Sequence, residues 1–504
     1  MAVSPPDDPK KHTPLSAAGS GWRPLDTMSL GSWIIVAIAV VSSVIVLALP
    51  VPDRPGLEFW TFARNHSKMY APLSERWNRR VEETGEGELM NLYQLEFTAL
   101  ERRTLNGFWA GTPLADLIEI EGGSFYKFVT GPLEDVGFVD LTDLLHDEGI
   151  YETLNAPSLT AWTNRGRVFG LPHDVHPVLL AYRADIVEDE LGIDVSTIQT
   201  WDDFARVMSA AKADFDGDGR IDRYPLSFWF NDVGALEVLM LQAGGGTFDA
   251  DDNIIVASEA NARVLATAVS WCFGEDRIAI DAPEFDAGGN QLKLDGRVVC
   301  AMMPDWLAGI WKSDLPQLGG KIKLMPLPAW EPGGRRTSVR GGTMLGIPRA
   351  TVEAGEFEDA WAFAKYLYLA EEVARELFLT ANIISPVKSY WDRPFYHEPD
   401  PYFSGQPSGT LYIDQAPHVP PRTSHPFRVV ATTEIGRAAN SLRNYADARG
   451  VYDVESLLPE ARRLLAEAQE QVLKRMERNV FLQIETAGGE TDNADTDADA
   501  GGSS

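Results

Sequence analysis

Cysteine is scarce in this sequence, whose 504 residues contain only Cys272 and Cys300. Two cysteines build neither a disulfide scaffold nor a cysteine-rich metal cluster. An oxidising compartment would permit a bridge between them. We favour two buried thiols, because Cys272 lies in a helical stretch and Cys300 in a strand predicted around residues 298–302.

Short motifs of catalysis and nucleotide binding are also missing. The sequence has no HExxH motif, no GxSxG elbow, no P-loop and no GxGxxG turn that opens a helix. This absence weakens the case for an enzyme. A pair of carboxylates that cleaves a sugar bond needs no short motif, so a glycosidase stays open at this point.

Positive charge is in short supply: 44 Lys and Arg against 74 Asp and Glu give a formal net charge of -30. Such a surface repels nucleic acid and anionic membranes, and no basic patch offsets it, so we predict no nucleic-acid partner. Part of the charge is local, since residues 485–504 contain six carboxylates and no Lys or Arg. We expect those residues to form an acidic, disordered tail.

One long apolar run lies near the N-terminus. No charged residue occurs between Asp26 and Asp53, and residues 33–49 are apolar and rich in β-branched side chains. Basic residues precede the run. It predicts a transmembrane anchor or signal segment over residues 30–52, a cytoplasmic polar stub over residues 1–29, and export of the rest.

A cleaved signal peptide is the alternative for this run, with Val46 and Ala48 as the small residues before the cut. We favour a retained anchor, because the leader is long and Pro50 and Pro52 crowd the cut. No cysteine comes directly after the run, which excludes a lipoprotein anchor. The predicted location is the inner membrane, with the folded part in the periplasm or at the cell exterior.

The folded part alternates predicted strands and helices, which indicates an α/β fold with parallel strands covered on both faces. A chain of this length favours two lobes. Ligands of such sheets bind beyond the carboxyl ends of strands, near residues 62–65 and 121–124. Periodicity predicts strands at 56–62, 88–96, 115–121, 179–182 and 298–303, and helices at 71–84, 98–110, 201–213, 231–243, 260–273, 357–369, 371–380 and 457–478.

An aspartate-rich loop has the spacing of a calcium site. Asp214, Asp216, Asp218, Gly219 and Asp222 occupy positions 1, 3, 5, 6 and 9 of a calcium loop, and the Arg220 carbonyl would supply position 7. Position 12 is Pro225, so the bidentate glutamate of an EF-hand is missing. A solvated Asp/Gly turn is the alternative. We predict a structural Ca²⁺.

Tryptophan is abundant, with 14 residues. Sugars present apolar C–H faces beside their hydroxyl groups, so their sites combine aromatic rings with polar partners. For any one tryptophan, core packing is the better interpretation. As a group they favour a sugar over an anion or a peptide, and those near predicted strand ends or loops are Trp60, Trp109, Trp229, Trp306, Trp330 and Trp391.

Several weak motifs, in order, resemble the family 1 extracellular solute-binding proteins of carbohydrate-uptake importers, the relatives of maltose-binding protein. The resemblance runs over residues 57–478, although the lipobox cysteine is absent and the acidic tail is additional. The motifs are Gly-Leu-Pro at 170–172, Ala-Tyr-Arg at 181–183, Thr-Trp-Asp-Asp-Phe at 200–204, Asp-Gly-Arg at 295–297, Asp-Trp at 305–306, Gly-Gly-Thr at 341–343, Ala-Trp-Ala-Phe at 360–363 and Tyr-Phe-Ser-Gly-Gln at 402–406.

The resemblance implies a two-lobed periplasmic-binding-protein fold, the Venus flytrap, whose lobes cross near residues 173–174 and 304–305 and close around a sugar by hinge motion. The N-terminal lobe would comprise 55–172 plus about 305–350, and the C-terminal lobe 173–304 plus about 351–480. The ligand contacts carried over are Phe62, Asn65, Glu121, Asp174, Trp229, Asp305, Trp306, Arg340 and Trp391.

We therefore predict a non-catalytic, monomeric binding subunit that delivers a sugar or oligosaccharide to the permease and ATPase subunits of an ABC importer. A membrane-anchored glycoside hydrolase or lyase is a second hypothesis, and a sugar-sensing receptor domain is a third. Products of incubation with oligosaccharides separate binding from hydrolysis, because a binding protein leaves the sugar intact.

Overall fold

The computed structural model of the protein describes residues 29–48 and 55–478. Residues 1–28 of the predicted cytoplasmic stub, residues 49–52 of the predicted anchor and the acidic tail at 485–504 lie outside the described residues.

The first described stretch is a continuous helix, α1 (Leu30–Ala48). Apolar side chains such as Ile35 and Val40 are exposed on it. Over residues 29–48 and 55–478, no helix combines the length and the apolar character needed to cross a membrane. The prediction of a transmembrane helix is therefore not confirmed.

The strands of the second described stretch are mostly short. In chain order they are β1 (Leu57–Thr61), β2 (Met90–Gln94), β3 (Leu117–Glu121), β4 (Thr163–Asn164), β5 (Arg167–Val168), β6 (Leu171–Pro172), β7 (Val178–Arg183), β8 (Tyr224–Ser227), β9 (Ala279–Ile280), β10 (Val298–Pro304), β11 (Ile322–Pro326) and β12 (Thr343–Gly346).

Helices connect and cover these strands. They are α2 (Arg64–Thr84), α3 (Phe97–Ala110), α4 (Thr142–Asp147), α5 (Ala156–Thr160), α6 (Trp201–Met208), α7 (Val233–Gln242), α8 (Glu259–Cys272), α9 (Ala287–Leu294), α10 (Asp305–Asp314), α11 (Arg349–Glu353), α12 (Phe357–Leu369), α13 (Glu371–Ala381), α14 (Pro394–His397), α15 (Ser408–Gln415), α16 (Arg428–Arg449) and α17 (Val454–Met476).

The first sheet has the strand order β2-β1-β3-β12-β6. β1 is parallel to β2 and to β3, because α2 and α3 return the chain to the same edge. β12 runs antiparallel to β3 and β6. It joins this sheet only after the chain has formed the strands of the second sheet. This sheet, with α2 and α12 packed on it, forms the N-terminal lobe.

The second sheet has the order β11-β7-β10-β8-β9. β10 is parallel to β8 and antiparallel to β7. The largest hydrophobic core lies between this sheet and α7, α8, α16 and α17, and it defines the C-terminal lobe. The predicted α/β architecture with two lobes is confirmed.

Within residues 55–478 the chain passes between the sheets at three places. The first crossing, 173–177, joins β6 to β7, and the second, 327–342, joins β11 to β12. The third crossing, 382–393, leads from α13 to α14.

The predicted boundaries between the lobes differ from these crossings. Residues 322–326 were expected in the N-terminal lobe, but they pair with β7 in the second sheet. Residues 360–377 were expected in the C-terminal lobe, but they pack on the first sheet. The prediction of a crossing near 304–305 is wrong. α10 follows β10 directly and packs with β7 and β11, so the chain crosses between the lobes only after β11.

Both cysteines are free and buried, Cys272 at the end of α8 and Cys300 in β10. Burial raises the pKa of each thiol, which keeps both protonated and unreactive. The interpretation as two buried thiols is confirmed.

Candidate ligand-binding site

A cavity of about 620 Å³ lies between the lobes. The loop after β1 and the first turns of α2 form one wall, and α10 and α13 contribute others. The first and second crossings reach it with Asp174 and with residues 341–343. Its volume is in the usual range for small-molecule sites, which is about 300 to 1,000 Å³.

Five of the nine predicted ligand residues line this cavity. They are Phe62, Asn65, Glu121, Asp174 and Trp306. Phe62 and Glu121 stand at the carboxyl ends of β1 and β3, where a ligand of this kind of sheet is expected.

A second cavity of about 310 Å³ adjoins the first, since both are lined by Glu121, Trp306 and Gly341. The predicted residue Arg340 lines this second cavity. The two together form an elongated cleft with Trp306 at their junction.

Trp306 is held at this junction by its neighbours on the second crossing. It is the second residue of α10, and its indole Nε1 donates a hydrogen bond to the Arg340 carbonyl at 2.9 Å. Its ring stacks against Phe285 with ring centroids 6.1 Å apart. A Cβ at Gly341 would lie 2.7 Å from the indole nitrogen, so the close approach of the crossing to the ring requires glycine there.

Asp174 presents a buried carboxylate to the first cavity. Its Oδ1 lies 2.9 Å from Nδ1 of His176, a residue in the left-handed region at φ 40°. Burial acts to raise the pKa of Asp174, but the charge and hydrogen bond of His176 lower it below its usual value. Asp174 therefore stays ionised and can accept hydrogen bonds from a ligand.

Asp305 was predicted as a ligand contact, but it lines neither cavity and is completely buried. Its Oδ2 accepts a hydrogen bond from the Ile384 backbone N–H at 3.4 Å, whereas Oδ1 has no partner among the described residues. Burial, and then the negative charge of Asp174, raise the pKa of Asp305 well above its usual value. The protonated form is favoured, which suits a hinge residue better than a ligand contact.

The second cavity is lined by paired charges. Arg340 donates to Asp232 at 2.7 Å, and Arg428 donates to both carboxylate oxygens of Glu237 at 2.6 Å. Arg422 donates from Nη2 to the Gly341 carbonyl at 2.6 Å. Such guanidinium and carboxylate groups can bind hydroxyl groups from both sides, as donors and as acceptors.

Glu121 stands where the two cavities meet. Its Oε2 accepts the Gly123 backbone N–H at 2.6 Å. Burial raises its pKa above the usual value, although the charges of Arg422 and Arg428 oppose that shift.

Two predicted tryptophans line neither cavity. Trp229 is half-buried in the loop before α7. Trp391 packs against the core around α10, and its Nε1 donates to the Ser385 carbonyl at 2.9 Å. The structure therefore brings neither ring to the candidate site.

A buried polar network next to the first cavity was missed by the sequence analysis. Glu119, in the middle of β3, accepts hydrogen bonds from Thr61 at 2.5 Å, Tyr70 at 2.8 Å and Tyr368 at 2.6 Å. His66 also contacts it, and His66 lines the cavity. A glutamate inside a buried strand needs partners, and this was the available signal.

Burial acts to raise the pKa of Glu119, but His66, His173 and the Thr61 hydroxyl together lower it to about 2. The carboxylate of Glu119 is thus ionised although no part of it is exposed.

The aspartate-rich loop gathers three of its predicted ligands. Carboxylate oxygens of Asp214, Asp216 and Asp218 lie within 4.8 Å of one another. Asp222 is turned to other partners, since its Oδ1 accepts from Arg297 at 2.7 Å and its Oδ2 from the Phe215 N–H at 2.9 Å. The Arg220 N–H donates to Asp218 at 2.8 Å. The geometry fits a three-carboxylate site and does not include Asp222.

Comparison with known proteins finds a family match over residues 105–374, to the family described as "Bacterial extracellular solute-binding protein". Two curated relatives are named arabinooligosaccharide-binding protein. The one from Halalkalibacterium halodurans is 26% identical over 355 residues, 69% of this chain and 75% of that protein. The one from Bacillus subtilis is 25% identical over 316 residues, 61% of this chain and 69% of that protein.

Solved structures share the fold at lower identity. The sugar-binding protein MalE from Xanthomonas citri is 17% identical with a TM-score of 0.65, covering 84% of this chain and 99% of that chain. The ABC transporter associated binding protein from B. animalis subsp. lactis Bl-04, in complex with beta-1,6-galactobiose, is 17% identical with a TM-score of 0.60, covering 82% of this chain and 98% of that chain.

Proposed function

Because the chain belongs to the bacterial extracellular solute-binding proteins, whose family match spans more than half of it, we propose that it captures a sugar or oligosaccharide and delivers it to a membrane permease. In this proposal the lobes close around the sugar. The family is one of binding proteins, and we assign this chain no catalysis of its own.

One observation carries the proposal: Trp306 stands at the junction of two cavities whose walls also hold carboxylates and guanidinium groups. An aromatic ring offers a surface for the C–H face of a sugar, and the charged groups offer partners for its hydroxyl groups. An elongated cleft suits a ligand of more than one sugar unit.

The names of the curated relatives support a ligand class. Two relatives are arabinooligosaccharide-binding proteins. We therefore place arabinooligosaccharides first among the candidate ligands of this chain.

A thermal-shift screen of the purified protein against arabinooligosaccharides, maltooligosaccharides and galactobiose tests the proposal. A ligand that binds only the folded state raises the melting temperature, by an amount that grows with its concentration over Kd. We expect a shift with at least one oligosaccharide, and mass analysis should recover that sugar intact. Cleaved sugar would instead indicate a hydrolase.

We propose the permease and ATPase subunits of an ABC importer as partners and a monomeric state in solution. The family supports a location outside the cytoplasm.

Retention of the N-terminal segment is a separate proposal, which rests on the sequence: no charge lies between Asp26 and Asp53, and Pro50 and Pro52 crowd a cleavage site. Amino-terminal sequencing of the protein from membranes should find the original N-terminus. A start at Leu49 would contradict it.

We also propose that Asp214, Asp216 and Asp218 hold a structural Ca²⁺. Three carboxylates within 4.8 Å of one another support this, since oxygen ligands from alternate residues suit a hard cation. Asp222 was predicted as a fourth ligand, and its ion pair with Arg297 leaves it outside the set.

A further inference from the structure

His66 connects the buried Glu119 network to the first cavity. It is the third residue of α2, its side chain is 12% exposed, and it lines the cavity. Nδ1 lies 3.0 Å from one oxygen of Glu119 and 3.2 Å from the other. In the part of the chain that the structure describes, no group forms a hydrogen bond with Nε2, so this nitrogen is available to a ligand.

The partners of Glu119 decide which nitrogen of His66 carries a hydrogen. Glu119 already accepts from Thr61, Tyr70 and Tyr368, and an ionised carboxylate can only accept. Nδ1 must therefore carry a hydrogen and donate it to Glu119. This fixes the ring orientation and leaves Nε2 as the nitrogen that is free to interact with a ligand.

The surroundings of the ring favour the charged form of His66. Burial acts to lower its pKa, but the charge of Glu119, the hydrogen bond to Glu119 and the charge of Asp174 raise the pKa above its usual value. His173, whose ring centroid is 4.7 Å away, does not compete for the proton, since burial and the charge of His66 lower its pKa to about 4.

The other groups near His66 do not change this charge balance. Tyr70 and Tyr368 stay neutral, because burial and Glu119 raise the pKa of both phenols. The remaining charged residues on the cavity wall balance in sign, namely Arg64 and Lys68 on α2, Glu121 on β3 and Glu376 on α13.

We propose that His66 is a specificity-determining residue, whose Nε2–H donates a hydrogen bond to an acceptor oxygen of the bound sugar. Asp174 and Glu121, on the same cavity, accept from sugar hydroxyl groups. The inference rests on the proposed function, because it concerns the same ligand. Glu119 is a positioning residue, which acts only through His66.

If His66 donates through Nε2, the affinity for the sugar must depend on pH in a defined direction. When the charged His66 ring loses the proton on Nε2, this nitrogen changes from a donor into an acceptor. It then repels the acceptor oxygen of the sugar. Affinity should therefore be highest below the pKa of His66 and fall as the pH rises through it. We expect roughly a tenfold weakening, the scale of losing a charge-assisted hydrogen bond.

Isothermal titration of the full chain with arabinotriose between pH 5.5 and 8.5 tests this. We expect Kd to rise about tenfold across the range for the wild type, and His66→Gln to bind weakly at low pH with no such rise. His146→Gln is the matched control, because His146 is exposed at the surface, where it pairs with Glu152 and stacks on Tyr151. It should keep the wild-type profile.

Two further measurements separate the outcomes. Histidine NMR of the free protein should give His66 a pKa above 6.5, and Glu119→Gln should shift both that pKa and the midpoint of the binding profile to lower pH. If Glu119→Gln does not fold, His66→Gln and the wild-type titration still decide.

A wild-type Kd that is constant over the range, or a His66→Gln variant that keeps the pH dependence, overturns the role of His66 and leaves the proposed function standing. A wild-type protein that binds no oligosaccharide at any pH contradicts the proposed function, and this inference with it.

Discussion

At the scale of single residues, Trp306 is an aromatic side chain that lines both cavities of the candidate site. Its half-buried ring borders both cavities and is fixed by a hydrogen bond to the Arg340 carbonyl and by stacking on Phe285. A ring that is held in place before the ligand arrives loses little conformational entropy on binding.

Replacing this ring gives the first prediction. Trp306→Ala should weaken oligosaccharide affinity by roughly 1 to 3 kcal/mol, about tenfold or more in Kd, because a stacking surface is lost. Isothermal titration measures the affinity, and thermal unfolding measures the stability of the same variant.

Trp391→Ala is the control, because Trp391 is also half-buried but packs on the core around α10. Its melting temperature should fall while its affinity stays close to that of the wild type. If Trp306→Ala is destabilised and binds as tightly as the wild type, the ring is a packing residue.

Glu119 gives a second prediction, on acid stability. Its pKa in the folded protein is about 2, against 4.5 in an ordinary glutamate, so the folded state binds fewer protons than the unfolded state in this window. Glu119 therefore adds stability above pH 4.5 that is lost as the pH falls towards 2, on the order of 3 kcal/mol. Glu119→Gln should show a shallower fall in the free energy of unfolding, measured by urea titration at each pH.

At the scale of elements, the aspartate-rich loop between α6 and β8 gives a third prediction. Three carboxylates within 4.8 Å repel one another when no cation is bound. Adding Ca²⁺ to metal-free protein should raise the melting temperature, and a chelator should reverse the rise. Differential scanning calorimetry measures both.

Asp216→Asn should abolish the response to Ca²⁺. Asp251→Asn, in another exposed turn, should leave it intact. A wild-type melting temperature that is the same with Ca²⁺ and with chelator would mean that the loop is only a turn.

The elements with strong periodicity were predictable from the sequence. The bounds of α12 agree with the prediction of 357–369, and β1, β3 and α3 lie within a residue or two of theirs. α2 begins at Arg64, whereas the predicted helix began at 71. Pro72 lies inside α2, and proline is typical of the first turn of a helix, which accounts for the late predicted start. The late predicted start hid His66.

α16 was missed although it has 22 residues. Half of its buried side chains are alanines, namely Ala431, Ala438, Ala439 and Ala446, so no strong apolar stripe marks the face that packs. Arg428, at the start of α16, was missed with it. Long-range placement of this kind depends on tertiary packing, which local periodicity does not contain.

At the scale of the whole molecule, the lobes were predictable but their membership was not. β11 returns antiparallel to β7, and strand order of this kind cannot be read from the sequence alone. The first and second crossings contact each other directly: Pro177 pairs with Val339 in an isolated β-bridge, and Gly342 packs on the His176 ring. A Cβ at Gly342 would lie 2.9 Å from that ring, so the contact requires glycine.

We propose that an oligosaccharide binds in the cleft between the lobes and is released without being cleaved. The most direct test is isothermal titration of the full chain with arabinotriose at pH 6. We expect one bound sugar per chain, with weaker binding by Trp306→Ala and unaltered binding by Trp391→Ala. Equal affinity of all three proteins, or no binding of arabinotriose, maltotriose or galactobiose by the wild type, would contradict it.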